Sequence, residues 1–244
     1  MFGDQARVIA SITMRATMGR KRALLFAIPP AILLLVTVLL KLSHPNLASW
    51  PSQVVGIFGF TVVLPLTALI IGTTVLGAEV DEGSIVHLLA TPVPRSVVIS
   101  SKYVVAVVLT AVFVAVPELL AGLIATGGLT KLAVGLFVGA LAGSVMYNAV
   151  FVMASVLTTR AIAYGLAYVV VWEALLGNFV SGARLLSIGH YSLGVANGIA
   201  NDGSALNPGV SLGTSIVMGV IVTVIGLVIA ARALASFSLK GDAI

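Results

Sequence analysis

The 244-residue chain has no cysteine and very few charged side chains, because Asp, Glu, Lys and Arg together make up only 9% of it. The missing cysteine excludes disulfides, thiol catalysis and thiolate metal sites. Soluble domains carry about 25% charged residues, so this low charge excludes a soluble fold. The chain is instead 59% hydrophobic, with a mean hydropathy of +1.18. This composition predicts an all-α integral membrane protein made of one transmembrane domain, residues 1–244.

One sequence pattern that carries chemistry is also missing. The phosphate-cradling Gly-x-x-x-x-Gly-Lys-Ser/Thr loop does not occur. The three histidines, His44, His87 and His190, are kept apart by the topology predicted below. We therefore predict no catalytic residue, no metal site and no directly bound cofactor, which disfavours an intramembrane enzyme. The net charge of +5 comes from dispersed cations, which indicates membrane topology and not nucleic-acid binding.

Long apolar runs dominate the sequence. A bilayer core of about 30 Å needs about 20 apolar residues per helix, and six segments qualify as transmembrane helices. They are residues 23–42, 53–77, 97–124, 132–158, 161–180 and 212–235. The fifth is the least regular, because Arg160 stands at its start and Glu173 lies within it.

The cations between these spans predict their orientation, since Lys and Arg concentrate on the cytoplasmic side. Six spans place most of the 13 cations on one side: Arg7, Arg15, Arg20, Lys21, Arg22, Arg95, Lys102, Arg160, Arg232 and Lys240. The other side receives Lys41, Lys131 and Arg184. We therefore expect a multi-pass protein of the cell membrane with both termini in the cytoplasm.

Residues 2–22, before the first span, have the pattern of an amphipathic helix. At about 100° per residue, two opposite arcs form, one polar with Arg7, Ser11, Arg15 and Arg22, and one apolar with Phe2, Ile9, Ile12 and Ala16. Such a helix lies in the membrane interface with its cations toward the lipid headgroups. The alternative is a basic cytoplasmic tail.

The segment 79–95, between the second and third spans, holds three of the eight acidic residues of the chain. Its pattern predicts a short cytoplasmic helix with acidic residues at the start, a Leu face, and prolines that end it. The residues concerned are Glu79, Asp81, Glu82, Gly83, His87, Leu88, Leu89, Pro92 and Arg95. Arg95 and Lys102 are expected to anchor the third span at the headgroups. The helix is either a connector or an element that docks into a cytoplasmic partner.

Charged residues within spans are costly in a bilayer and are often functional. Glu118 follows Pro117 and, like Glu173, is expected toward the external end of its span. Both carboxyls either lie near the interface, partly hydrated or bonding free backbone at a kink, or are parts of a transport pathway or external gate. A proton relay is disfavoured, because no chain of acids crosses the midplane. Asn148 in the fourth span either lines a pathway or joins two helices.

Two further features concern helix packing. Gly135, Gly139 and Gly143 form a small-residue stripe on the fourth span, which is typical of close helix contact. The stretch 181–211 is expected to be external but is too apolar for a free loop. We predict that it is partly re-entrant, or packs on the helix ends as short helices.

The motifs around the segment 79–95 resemble the ABC-2 family of ABC transporter permeases. They are Gly77-x-Glu79, then Glu82-Gly83-Ser84, then Leu88-Leu89-Ala-Thr-Pro92-Val-Pro-Arg95 and a nearby Lys102. Family members typically read G-x-E, E-x-G-[TS], L-L-x-x-P-[VL]-x-R and lysine between their second and third helices. The resemblance extends over most of the chain, including Pro65 and the pair Trp172-Glu173. Ser84 stands where the family more commonly has Thr.

The resemblance implies a permease that works as a homo- or heterodimer with separate cytoplasmic ATP-binding subunits. Those partners would hold ATP and Mg, and their closure would push on residues 79–95 to switch a pathway along the dimer interface. The usual direction in the family is export. Two readings not driven by ATP stay open: a secondary transporter, which should show inverted repeats of broken helices, and a membrane protein of toxin or antibiotic immunity.

Overall fold

The computed structural model describes residues 2–43, 50–81, 94–176, 182, 186–200, 206 and 208–236, and within them every regular element is a helix. The α-helices are α1 (Phe2–Thr17), α2 (Arg20–Ser43), α3 (Leu64–Asp81), α4 (Arg95–Thr110), α5 (Val116–Thr126), α6 (Lys131–Leu157), α7 (Ala161–Ala167), α8 (Ile188–Ala200) and α9 (Leu212–Ser236). Wider π-helical turns form π1 (Pro51–Val63), π2 (Ala111–Ala115) and π3 (Tyr168–Leu176). Thus π1 runs into α3, π2 joins α4 to α5, and π3 extends α7.

Five of the described helical stretches are long and apolar enough to cross a membrane: Ala23–Ser43, Pro51–Leu76, Arg95–Thr126, Lys131–Leu157 and Leu212–Ser236. They correspond to five of the six predicted spans. The predicted fifth span, residues 161–180, is represented by a shorter apolar helix, Ala161–Glu173. An all-helical membrane fold is therefore present, while a membrane crossing by residues 161–180 stays a prediction.

The packing of α6 against its neighbours shows how the chain returns between α6 and α9. Gly219 packs on Met146 and Gly226 on Ala149, so α9 runs parallel to α6. The chain must therefore come back between these two helices. It does so in two pieces, first α7 with π3, and then α8, which lies antiparallel to the first half of α6.

Two apolar cores divide the bundle along its length. One is built from π1, the start of α3, α5, most of α6 and α8. The other joins the end of α3 and most of α4 to the last turns of α6 and α9. Residues from the second half of α1 and the beginning of α2 also pack in this second core. The cations Arg95, Arg160 and Arg232 lie at the same end, whereas Lys41 and Lys131 lie at the opposite one.

Proline positions explain two of the π-helical segments. Pro65 follows π1 and Pro117 follows π2. A proline has no N–H for the carbonyl one turn before it, and a locally widened turn is one way in which a helix accommodates such a break. The sequence predicts the kinks at these prolines, but not the length of π1, which extends over 13 residues.

Helix α1 has three faces and not the two predicted for an interfacial helix. Ile9, Ala10 and Met14 pack on the second core, with Thr13 and Thr17 buried beside them. An exposed apolar face and an exposed polar face complete the circumference. The first comprises Val8, Ile12 and Ala16, and the second Arg7, Ser11 and Arg15. Ile9 and Ile12 were predicted to share one face, and the structure separates them because one meets protein and the other does not.

The segment 79–95 starts differently from the prediction. Helix α3 continues through Asp81, so Glu79 and Asp81 lie in its last turn and not in the first turn of a separate helix. Residues 82–93, which include Glu82, Gly83, His87, Leu88, Leu89 and Pro92, lie outside the described residues. The chain is described again from Pro94, which precedes the half-buried Arg95 at the start of α4.

Candidate functional site

The small-residue stripe of α6 positions α8 inside the bundle. A Cβ on Gly135 or Gly139 would collide with the backbone of Ala196 or Ser192. The two helices therefore lie in backbone contact, as the stripe predicts. Their antiparallel register brings the first residues of α8 beside Tyr147 of α6. The predicted short helix within residues 181–211 is thus present as α8, and it is almost wholly buried.

The depth of this contact can be estimated from α6 itself. At 1.5 Å per residue, Tyr147 lies about 24 Å from the Lys131 end of a helix about 40 Å long. The N-terminus of α8 therefore reaches beyond the midpoint of α6. Half-helices that end inside a bundle need partners there for their unbonded N–H groups.

Glu173 supplies these partners. Its Oε1 accepts hydrogen bonds from the N–H of Ile188 at 2.9 Å and of Gly189 at 3.3 Å. The Tyr168 hydroxyl donates to the same oxygen at 2.9 Å, and the Ser187 hydroxyl donates to Oε2. The carboxylate is fully buried, at 0% exposure. Four donors and the positive end of the α8 dipole stabilise its charge where no water reaches it.

Ser187 completes the cap of α8. Its Oγ accepts the N–H of His190 at 3.2 Å, which is the usual N-cap bond of a serine. The same oxygen lies 2.9 Å from His190 Nδ1. The first three N–H groups of α8 are therefore all bonded, two by Glu173 and one by Ser187. His190 was predicted to be external, but its side chain is buried with this cluster.

These contacts correct the predicted position of Glu173. It was expected toward the external end of the fifth span and partly hydrated, yet it lies at the level of Tyr147 and is enclosed by protein. The hydrogen bonds agree with the alternative in which Glu173 bonds free backbone groups. The partners come from α8, which no pattern in the fifth span could reveal.

Glu118 is equally buried but has no such partners. It lies in the first turn of α5, about 12 Å from the Thr126 end at 1.5 Å per residue. Its exposure is 0%, so the prediction of a partly hydrated group is wrong for this carboxyl too. Neither carboxyl oxygen has a hydrogen-bond partner among the described residues. The carboxyl presses on Gly59 of π1, where a Cβ would overlap Oε1.

The surroundings of both carboxyls include the same turn of π1. Gly59 touches Glu118, while a Cβ on Gly189, the residue that bonds Glu173, would lie 3.3 Å from the carbonyl oxygen of Phe60. Gly59 and Phe60 are consecutive residues. The long π-helical segment therefore lies close to both a carboxyl with four donors and one with none, and its movement would affect both.

Asn148 connects helices in this arrangement. Its Nδ2 donates to Thr110 Oγ1 of α4 at 2.9 Å and to the Ser144 carbonyl at 2.8 Å. It is fully buried against α3, with Oδ1 directed at Gly72. Of the two predictions for Asn148, the contacts favour the one in which it joins helices. Glu118, Asn148 and Glu173 could meet a cargo only if the helices parted.

A further buried polar contact ties the ends of α3 and α4 together. Lys102 was expected at the headgroups, but its side chain is 1% exposed, and Nζ donates to the Val75 carbonyl at 2.8 Å. The prediction was wrong because the last turns of α3 offer the lysine a protein carbonyl in place of water. The described ends of the segment 79–95 are thus held together.

Several participating residues had no signal strong enough to be found from the sequence. Gly59 and Ser187 contact carboxyls that are farther along or back in the chain, and Tyr168 bonds an acid five residues ahead. A serine just before an apolar run, as at Ser187-Ile188, is a start signal for a helix, and it could have indicated where α8 begins. Nothing in the sequence around Gly59 indicates a carboxyl beside it.

The long apolar helices and the enclosed polar groups between them define a multi-pass membrane protein. Residues 19–180 match the family described as ABC-2 family transporter protein. The matched range covers about two-thirds of the 244 residues, and the chain therefore belongs to this family of membrane transport components. A comparison with curated proteins finds no match. The matched range includes the segment 79–95, Glu118, Asn148 and Glu173, and ends before α8.

Proposed function

We propose that this chain is the transmembrane permease subunit of an ATP-driven exporter. Two permease copies would form the pathway along their interface, and separate cytoplasmic subunits would bind ATP with Mg. The observation that carries the proposal is the family match over residues 19–180, because family members generally work with ATP-binding partners. The missing phosphate-binding loop agrees with a division of labour in which this chain hydrolyses nothing itself.

The geometry around the segment 79–95 suits a coupling role. The segment leaves the end of α3 at Asp81 and re-enters α4 at Arg95. Lys102 bonds α4 to Val75 of α3, and apolar residues of both helices form the second core. A push on the segment would therefore displace α3 and α4 as one body, since packed helices transmit displacement with little compression.

The same displacement would reach both carboxyls. Helix α3 is the direct continuation of π1, which lies close to both Glu118 and Glu173. Helix α4 continues through π2 into α5, which carries Glu118. The proposed path thus runs from the cytoplasmic partner through α3 and α4 to the middle of the bundle. This continuity supports the proposal that Glu118 and Glu173 belong to a pathway or gate, with Asn148 joining helices beside it.

The proposed orientation places the second core on the cytoplasmic side of the cell membrane. The cations Arg7, Arg15, Arg160 and Arg232 fall at that end, as the positive-inside rule requires. Six crossings, the fifth made by α7 with π3, then leave both termini in the cytoplasm. The exposed faces of α1 suit the same plane, with its apolar face toward acyl chains and its cations toward headgroups.

Leu88→Asp tests the coupling role. If Leu88 is buried against the ATP-binding subunit, an unpaired charge in that contact should greatly reduce copurification of this subunit in mild detergent. ATP turnover should then no longer respond to cargo. Ser236→Asp, at an exposed position of α9, adds the same charge at the same end and should leave assembly intact. Full assembly and transport in Leu88→Asp would show that the segment is only a connector.

A secondary transporter is the second candidate. The observation that favours it is α8, a half-helix whose N-terminus ends inside the bundle, as in transporters built from broken helices. In this chain the N-terminus of α8 is already occupied by Glu173 and Ser187. Transport in vesicles that hold this chain alone, driven by an ion gradient without ATP, would establish this reading over the first.

A further inference from the structure

Glu118 is a buried acid without hydrogen-bond donors, and the family to which the chain belongs does not explain it. Its carboxyl is fully enclosed, and both oxygens lack a hydrogen-bond partner among the described residues. An ionised carboxylate without donors in an apolar interior is strongly disfavoured, and such a group gains a proton instead. Protonation removes the charge of the carboxylate, and the side chain can then stay in the apolar interior.

Among the described residues, no countercharge bonds the carboxyl in place of a proton. The elements packed on α5 are α2, α6, π1 and π2, and π1 and π2 contain no titratable residue. Near this end of the bundle, α2 brings Lys41, whose Nζ bonds the Ala125 carbonyl at 3.0 Å. Helix α6 brings the exposed Lys131 and the buried Tyr147. None of these three bonds the Glu118 carboxyl.

In this conformation there is no space for a larger ligand between the carboxyl and π1. The carboxyl lies so close to Gly59 that even a methyl group there would overlap it. No group of three or more His, Asp or Glu side chains that could hold a metal occurs among the described residues. A metal ion needs several oxygen ligands, and an organic ammonium needs a cavity. A proton needs neither.

We propose that Glu118 is a proton-binding site, which holds one proton while π1 lies against it and releases that proton when π1 moves away. Two π-helical segments flank the carboxyl: π1 faces it in space, and π2 ends three residues before it. Conversion between π and α turns rotates the residues beyond the turn. Such a rotation would admit water to the carboxyl and allow it to ionise.

Infrared spectroscopy of the full-length chain in lipid vesicles tests the proposal directly. At neutral pH the wild type should show the C=O stretch of a protonated carboxylic acid, and this band should be missing in Glu118→Gln. Glu173→Gln should keep it, because this variant retains the Glu118 carboxyl. On transfer to D2O the band should shift slowly, since exchange requires that π1 opens. An absent band, an immediate shift, or a band that persists in Glu118→Gln would overturn the proposal.

A second measurement needs only the wild type and so does not depend on how a variant folds. Dicyclohexylcarbodiimide is an apolar reagent that adds to protonated carboxyls, and the proton moves to a reagent nitrogen as the carboxyl oxygen bonds its carbon. Peptide mass spectrometry should find the adduct on Glu118 and not on Glu173. Modification of Glu173 with Glu118 untouched would contradict the assignment. The test involves no ATP-binding partner, so its outcome is independent of the proposed function.

Discussion

Glu173 and Glu118 are chemically identical side chains, equally buried and close to the same turn of π1, yet their hydrogen bonding differs. Glu173 accepts hydrogen bonds from Tyr168, Ser187 and two amides of α8. Glu118 has no partner among the described residues. The difference teaches that burial alone does not decide the charge state of an acid. The charge state depends on whether backbone N–H groups lie within hydrogen-bond distance of the buried carboxyl.

The contrast follows from where the helices end. Helix α8 begins inside the bundle, so its N–H groups need acceptors and Glu173 meets that need. Glu118 also lies in the first turn of an α-helix, but α5 follows π2 without a break, and the preceding turn already bonds its amides. A helix start inside the bundle thus stabilises a carboxylate, whereas a continuous helix does not.

Replacing each acid by leucine should give the largest difference between the two sites. Glu173→Leu leaves the first amides of α8 without acceptors, and we expect a loss of about 3–5 kcal/mol in the free energy of unfolding. Glu118→Leu removes only an unbonded group and should stay within about 1 kcal/mol of the wild type. Thermal unfolding in one detergent compares the variants. Equal losses would show that the two carboxyls are held alike.

Tyr168→Phe should have an intermediate effect, because it removes one donor from an ionised acceptor. Hydrogen bonds to charged groups contribute about 1.5–3 kcal/mol, and we expect a loss in this range. Tyr164→Phe is the matched control, since Tyr164 lies one turn earlier on α7 and is 62% exposed. If both variants unfold at the same temperature as the wild type, the Tyr168 bond does not stabilise Glu173.

The smallest effect is expected for Glu118→Gln. A carboxamide has nearly the shape of a neutral carboxylic acid, so the stability should change by less than about 1 kcal/mol. Glu173→Gln should cost more, since it replaces a charge-assisted acceptor of four donors by a neutral amide. Comparing the unfolding midpoints of the two variants shows which of the two sites depends on a charged carboxylate. A costly Glu118→Gln would show that Glu118 is ionised and has a partner.

Part of this arrangement could be predicted from single segments. The glycine stripe of α6 indicated close packing, and the apolar stretch 181–211 indicated a short, partly inserted helix. Both features depend on local pattern, because side-chain size and hydrophobicity repeat with the helical turn. The partners of Glu173 could not be predicted in the same way. They depend on how far α8 enters the bundle, which the register between α6 and α8 determines.

Position along a span was also a poor guide to environment. Counting residues placed Glu118 and Glu173 near the external surface and Lys102 at the headgroups, and all three are enclosed by protein. Counting gives depth along a helix axis, but it gives no information on which neighbours cover a side chain. Burial of these three groups depends on π1, α8 and α3, which lie far from them in sequence.

The sequence by itself determined the class of this protein: its low charge, its apolar runs and the motifs from Gly77 to Lys102 indicate a helical ABC-2 membrane component. Hydrophobicity and helical periodicity are local properties, so a chain carries them before it folds. The tertiary structure decided which buried acid receives hydrogen bonds and which is left to hold a proton. Hydrogen-bond donors act only within about 3 Å, and only the packing of distant helices brings them that close.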